Sequence, residues 1–131
     1  MPFHLLKHSV FCWFTLFQLL SFNINAGDFE EGIAAASQND FKKAYNLWLP
    51  LADEGNVKAQ HNLGFMYQTG LGLAQNYNEA LKWYKLAADQ GYAESQNNLA
   101  YMYDKGLGTK VDYLEAVKWY QLAAKKNHAQ A

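Results

Sequence analysis

Two nearly identical strings hold the residues best suited to chemistry: "EALKWYKLAA" at 79–88 and "EAVKWYQLAA" at 115–124. Each sets a lysine beside a tryptophan and a tyrosine: Lys82, Trp83 and Tyr84, then Lys118, Trp119 and Tyr120. A cation over aromatic faces can cage a ligand, and stacked aromatics can seat bases. On a helix, however, sequence neighbours diverge by about 100°, so Lys82 is expected on the solvated side and off the Trp83 ring. Other reactive groups are sparse. From Gly27 onward the serines are Ser37 and Ser95, and the histidines are His61 and His128. No serine stands at a spacing from a histidine that suggests a nucleophile and its base. A metal site needs several converging ligands. Asn97 replaces His61 in the next copy, so both histidines are expected in solvent. The carboxylates, among them Asp53, Glu54, Glu30 and Glu31, read as helix caps and i,i+3 partners. Gly70-Leu71-Gly72 follows no strand and precedes no Lys-Ser or Lys-Thr, so it is no phosphate loop. The expectation is a protein with no catalytic residue, no metal and no cofactor.

Composition narrows the partners. The chain has 131 residues and a formal charge of −1, and it contains no arginine. Phosphate and nucleic-acid recognition favour arginine forks and a basic field. Both features are lacking, so nucleic acid is not an expected partner. The first 26 residues run from a basic start with Lys7, through the apolar stretch Val10 to Phe22, to small residues ending at Ala26. That order is a secretory signal peptide, with cleavage expected after Ala26. The apolar stretch is shorter than the roughly 20 residues of a bilayer span. No membrane span is expected after cleavage, and the destination is the periplasm or the medium. The one cysteine, Cys12, lies inside the stretch, so an exported chain from Gly27 would rely on its core without disulfides.

The elements that must place these residues come from a period of 36. Leu63, Met66 and Tyr67 meet Leu99, Met102 and Tyr103 at that offset, Gly70 and Gly72 meet Gly106 and Gly108, and Tyr77 meets Tyr113. A repeat of this length marks a stacked array. Each unit reads as two helices. Leu63, Met66 and Tyr67 form a helical stripe that Gly70 ends. Asn76-x-x-Glu79 and Asp112-x-x-Glu115 open the second helix as capping boxes. That helix is expected to turn at Gly91 in one copy and at Asn127 in the other. Ala80, Trp83, Tyr84, Ala87 and Ala88 fall in one arc and form its buried face.

The ordered set Asn62-Leu63-Gly64, Met66-Tyr67, Gly70-x-Gly72, Tyr77, Glu79-Ala80, Trp83-Tyr84, Ala87-Ala88 and Gly91 resembles the Sel-one-like repeat, a relative of the tetratricopeptide repeat. The next copy departs at Ala100 and Asn127. The resemblance starts near Phe29, with a degenerate unit at 27–56 whose loop is short, followed by units at 57–92 and 93–128. It implies an all-α fold: a right-handed α-solenoid of antiparallel helix pairs, about two and a half repeats long. It also implies an exported scaffold for protein–protein interaction. By analogy with the tetratricopeptide architecture, His61, Phe65 and Gln68, with Asn97, Tyr101 and Asp104, would line a concave partner-binding face opposite the core.

Two other functions fit the resemblance: a scaffold bound to envelope glycan such as peptidoglycan, and a β-lactam hydrolase. The relatives linked to the latter carry a disulfide pattern that this chain lacks. Residues 129–131 read as the start of an incomplete further helix. Trp119 and Leu122 would then be uncovered, and self-association through that end is expected.

Overall fold

In a computed structural model, residues 27–130 are described. The proposed signal peptide and Ala131 lie outside them. Six helices follow one another: α1 (27–37), α2 (Phe41–Asp53), α3 (Val57–Thr69), α4 (Tyr77–Asp89), α5 (Ala93–Lys105) and α6 (Tyr113–Gln130). No strand occurs among the described residues. From α2 onward each helix packs on the next, which makes a solenoid of helix pairs.

Local chemistry sets the boundaries. Asp40, Asn56, Asn76 and Asp112 each accept a hydrogen bond from the backbone N–H three residues on, at 2.9–3.1 Å. Each thereby satisfies one of the free donors of a helix start. Glu79 and Glu115 do not complete capping boxes. They turn forward to Lys82 and Lys118, at 3.9 and 3.6 Å. Gly70 and Gly106 end α3 and α5 in the left-handed conformation, at φ of 73° and 67°.

Packing then joins the units. One apolar cluster gathers Ala44, Trp48 and Ala52 of α2 with Leu63 and Met66 of α3. The second gathers Ala80, Tyr84 and Ala88 of α4 with Leu99, Ala100 and Met102 of α5. Gln60 and Gln96 reinforce the same junctions, donating to the carbonyls of Ala52 and Ala88 at 3.0 and 3.2 Å. Gly64 lies under the Tyr84 ring, where an added Cβ would come within 2.7 Å. Tyr45 and Tyr67 share a hydrogen bond at 3.0 Å between α2 and α3. Burial, aided by that bond, pushes the Tyr67 phenol up to about 12.

Helix α6 departs from the expected pattern. It does not turn at Asn127 but runs through to Gln130, so residues 129 and 130 continue α6 and start no new helix. The counterpart of Asn127 is Gly91, which holds a φ of 87°. That conformation costs a glycine almost nothing and an asparagine more. In "AAKKNHAQ" helix propensity prevails. The straight run has a consequence for Gln96. In the preceding unit Gln90 donates to Gln60 Oε1 at 2.8 Å and to the Gly55 carbonyl at 3.1 Å. Its counterpart is Lys126, whose Nζ lies by Gly91, and the buried Gln96 Oε1 has no donor among the described residues.

Candidate partner-binding face and the repeat junction

The six residues expected on one open face divide into two groups. Phe65 is 46% exposed, Tyr101 is 44% exposed, and Asn97 is exposed as well. They sit on α3 and α5 at equivalent positions. Leu63 and Met66, and likewise Leu99 and Met102, point the opposite way into the core. His61, Gln68 and Asp104 are only partly exposed. Gln68 Oε1 accepts from the Tyr84 hydroxyl at 2.7 Å, which ties α3 to its own α4. Asp104 pairs with Lys105 at 3.1 Å. Between α1, α2 and α3 an apolar pocket of ≈ 120 Å³ opens beside Phe65, lined also by Ala36, Phe41, Trp48 and Leu71.

His61 is not a solvated histidine. Its Nδ1 shares a hydrogen bond with Ser95 Oγ at 2.8 Å, and its Nε2 lies 3.5 Å from Glu94 Oε2. The ring packs on Tyr84 and Tyr92, with centroids 5.6 and 5.1 Å away. No spacing along the chain signals this contact, because stacking brings residues 34 apart together. A serine, a histidine and a carboxylate in a row suggest a nucleophile and its base. Ser95, however, is 0% exposed, so its hydroxyl cannot meet a substrate. The trio is instead a junction between α3 and α5.

Burial holds the His61 imidazole below its ordinary value, and the Glu94 carboxylate opposes that shift. The unfolded chain therefore takes up a proton at higher pH than the folded one. Stability should be undiminished above the unfolded value of about 6.5 and fall as pH drops through the lower folded value. Thermal melts between neutrality and mild acid are expected to show this loss. His61→Asn, which borrows the residue type of Asn97, should remove most of it. An unchanged pH dependence would overturn the assignment.

The lysines of the repeated string also depart from expectation. Lys82 Nζ lies 5.8 Å from the Trp83 ring centroid, and Lys118 Nζ lies 5.1 Å from that of Trp119. The backbone directions diverge as a helix requires, but a four-carbon stem bends back over its neighbour. These contacts form no cage, because Trp83 is buried in the cluster of α2 and α3 and Trp119 in that of α4 and α5. Trp119 was expected uncovered and is not; its Nε1 also donates to Glu115 at 3.0 Å. The large apolar residues that α6 leaves exposed are Tyr113, Leu114, Val117, Tyr120 and Leu122. Among the described residues no group of three or more metal-ligating side chains converges, and no helix is long and apolar enough to cross a membrane.

The geometry agrees with the comparisons. The model of the Sel1 repeat matches residues 25–56, 57–92 and 93–128. A Sel1 repeat protein from Oxalobacter formigenes is 37% identical, with a TM-score of 0.72 over 78% of this chain and 42% of that one. The protein c5321, a protective antigen of uropathogenic Escherichia coli strains displaying an SLR fold, is 34% identical, with a TM-score of 0.75 over 86% of this chain and 25% of that one. This chain thus spans less than half the length of either protein. No curated protein matches it. Three consecutive repeat matches and two solved structures above 30% identity lead to one conclusion: the chain belongs to the Sel1 repeat family.

Proposed function

We propose that this protein is an exported, non-catalytic scaffold that captures another protein through the outward side of α3 and α5. Sel1 repeat proteins are generally protein-interaction scaffolds. The observation that carries the finer reading is the pair Phe65 and Tyr101. They are large aromatics at equivalent positions, nearly half exposed, on the side opposite the packed stripe. A helix that only had to stack would need no aromatic there, and aromatics are the side chains most often found at the centre of protein interfaces. Asn97 adds hydrogen-bonding capacity beside them. His61 and Gln68 brace the surface through Ser95 and Tyr84, and Asp104 pairs with its neighbour Lys105. Export rests on the basic, apolar and small-residue order of the first 26 residues.

Affinity capture from the envelope and culture fluid tests the reading. Phe65→Ala and Tyr101→Ala together should keep the helical signal and weaken capture by about 30-fold or more, the loss of one strong interface anchor. Material recovered with Gly27 at its N-terminus would support export in the same experiment. Undiminished capture by the double variant would show that the partner binds elsewhere.

A further inference from the structure

One face of the repeated string is covered in α4 and open in α6. Tyr77, Leu81, Tyr84 and Ala88 of α4 are covered or half-covered where α5 crosses them. Their counterparts Tyr113, Val117, Tyr120 and Ala124 are all exposed, and Leu114 beside them is 85% exposed. These four positions are spaced four, three and four apart, the seam that packs helix against helix. We propose that this seam is the interface of a closed two-fold dimer, in which α6 of one copy lies antiparallel on α6 of a second.

Two properties of the seam select a second copy. The first is size. In an antiparallel register centred between Val117 and Tyr120, Tyr113 meets the partner's Ala124 and Val117 meets the partner's Tyr120. Large then faces small at the ends, and medium faces large at the centre, as interdigitated packing requires. The second is charge. Close to a two-fold axis a charge faces its own copy and is repelled. The four seam residues carry none, nor do Leu114 and Gln121 beside them. Lys118 and Glu115 stand off the seam and pair with each other at 3.6 Å.

Helix α1 argues against the alternative, in which α1 of one copy stacks on α6 of the next. Gly32 packs beneath Trp48 as Gly64 packs beneath Tyr84. That correspondence puts Glu31 where α3 has Leu63. Leu63 is fully buried against α2, whereas Glu31 is exposed and paired with Lys43 at 2.7 Å. Head-to-tail stacking would bury that carboxylate against apolar surface. The assembly therefore closes at two and forms no filament.

Sedimentation velocity over about a hundredfold range of concentration tests this, using the chain from Gly27, which holds every described helix and both core clusters. The expected result is a reversible monomer–dimer equilibrium. Val117→Glu should yield a monomer throughout, with circular dichroism unchanged because the site is exposed. Leu86→Glu, an exposed leucine of α4 away from the seam, should leave the dimer intact. A monomer at every concentration overturns the proposal. So do a ladder of species beyond two, a dimer that survives Val117→Glu, or one that Leu86→Glu abolishes.

Discussion

Tyr84→Ala is expected to cost about 3–5 kcal/mol, whereas Tyr120→Ala, the same substitution in the matching string, should cost less than about 1 kcal/mol in dilute solution. The two tyrosines share their local sequence, and only the surroundings differ. Tyr84 is 0% exposed and Tyr120 is 40% exposed. The Tyr84 ring lies over Gly64 and beside His61, and it packs into the cluster of Leu99 and Ala100; its hydroxyl donates to Gln68. One side chain thus binds α3, α4 and α5. Truncating it leaves a cavity at the junction between the second and third units. A domain of this size has a total stability of about 5–15 kcal/mol, so the variant should be largely unfolded on mild heating. Tyr84→Phe removes only the hydroxyl, and since Gln68 is partly exposed the loss should be near 1 kcal/mol. Urea unfolding of the three variants checks the order. Equal costs for Tyr84→Ala and Tyr120→Ala would mean that stacking does not hold the repeats together.

Gly108→Ala is expected to be the most damaging change in a loop, at about 2–4 kcal/mol. Two effects combine. Gly108 holds a φ of 70°, where a Cβ costs about 1 kcal/mol by itself. An added Cβ would also press on the carbonyl of Tyr77, a backbone atom that cannot rotate away. Gly72 makes the same approach to the preceding unit, where a Cβ would lie 2.5 Å from that of Phe41. The loop glycines therefore let each long loop touch the start of the previous second helix. Gly55→Ala separates the two effects. Its φ is 97°, but no atom lies within 4 Å of the added Cβ, so strain alone should cost about 1 kcal/mol. If denaturant melts give both variants the same cost, the close approach at Tyr77 contributes nothing.

The residues show how much could be read without coordinates. The 36-residue offset, the alanines and aromatics on one arc, and Asn76 and Asp112 before the second helices suffice for the helix pairs and their stacking order. Those features act within a few residues or recur at a fixed period, so the linear chain carries them. Phe65 and Tyr101 could be placed opposite the core stripe for the same reason. Four features escaped. The His61–Ser95 bond joins positions 34 apart through the stack, and neither residue type recurs at that distance. The lysines reach their tryptophans because a long side chain bends where the backbone points away. Trp119 is buried in the cluster that α4 and α5 form, so no further unit is needed to cover it. Asn127 stays helical because helix propensity outweighs a turn that glycine makes almost freely.

Periodicity, capping residues and the apolar arc of each helix are written along the chain, and they suffice for a Sel1-type stack of helix pairs and for the starts of its helices. Which copies of those faces are covered depends on how the helices stack. Tyr84 and Tyr120 sit in near-identical strings, so no local pattern can tell them apart. One is buried because α5 crosses it, and burial belongs to the contact between helices rather than to either helix alone.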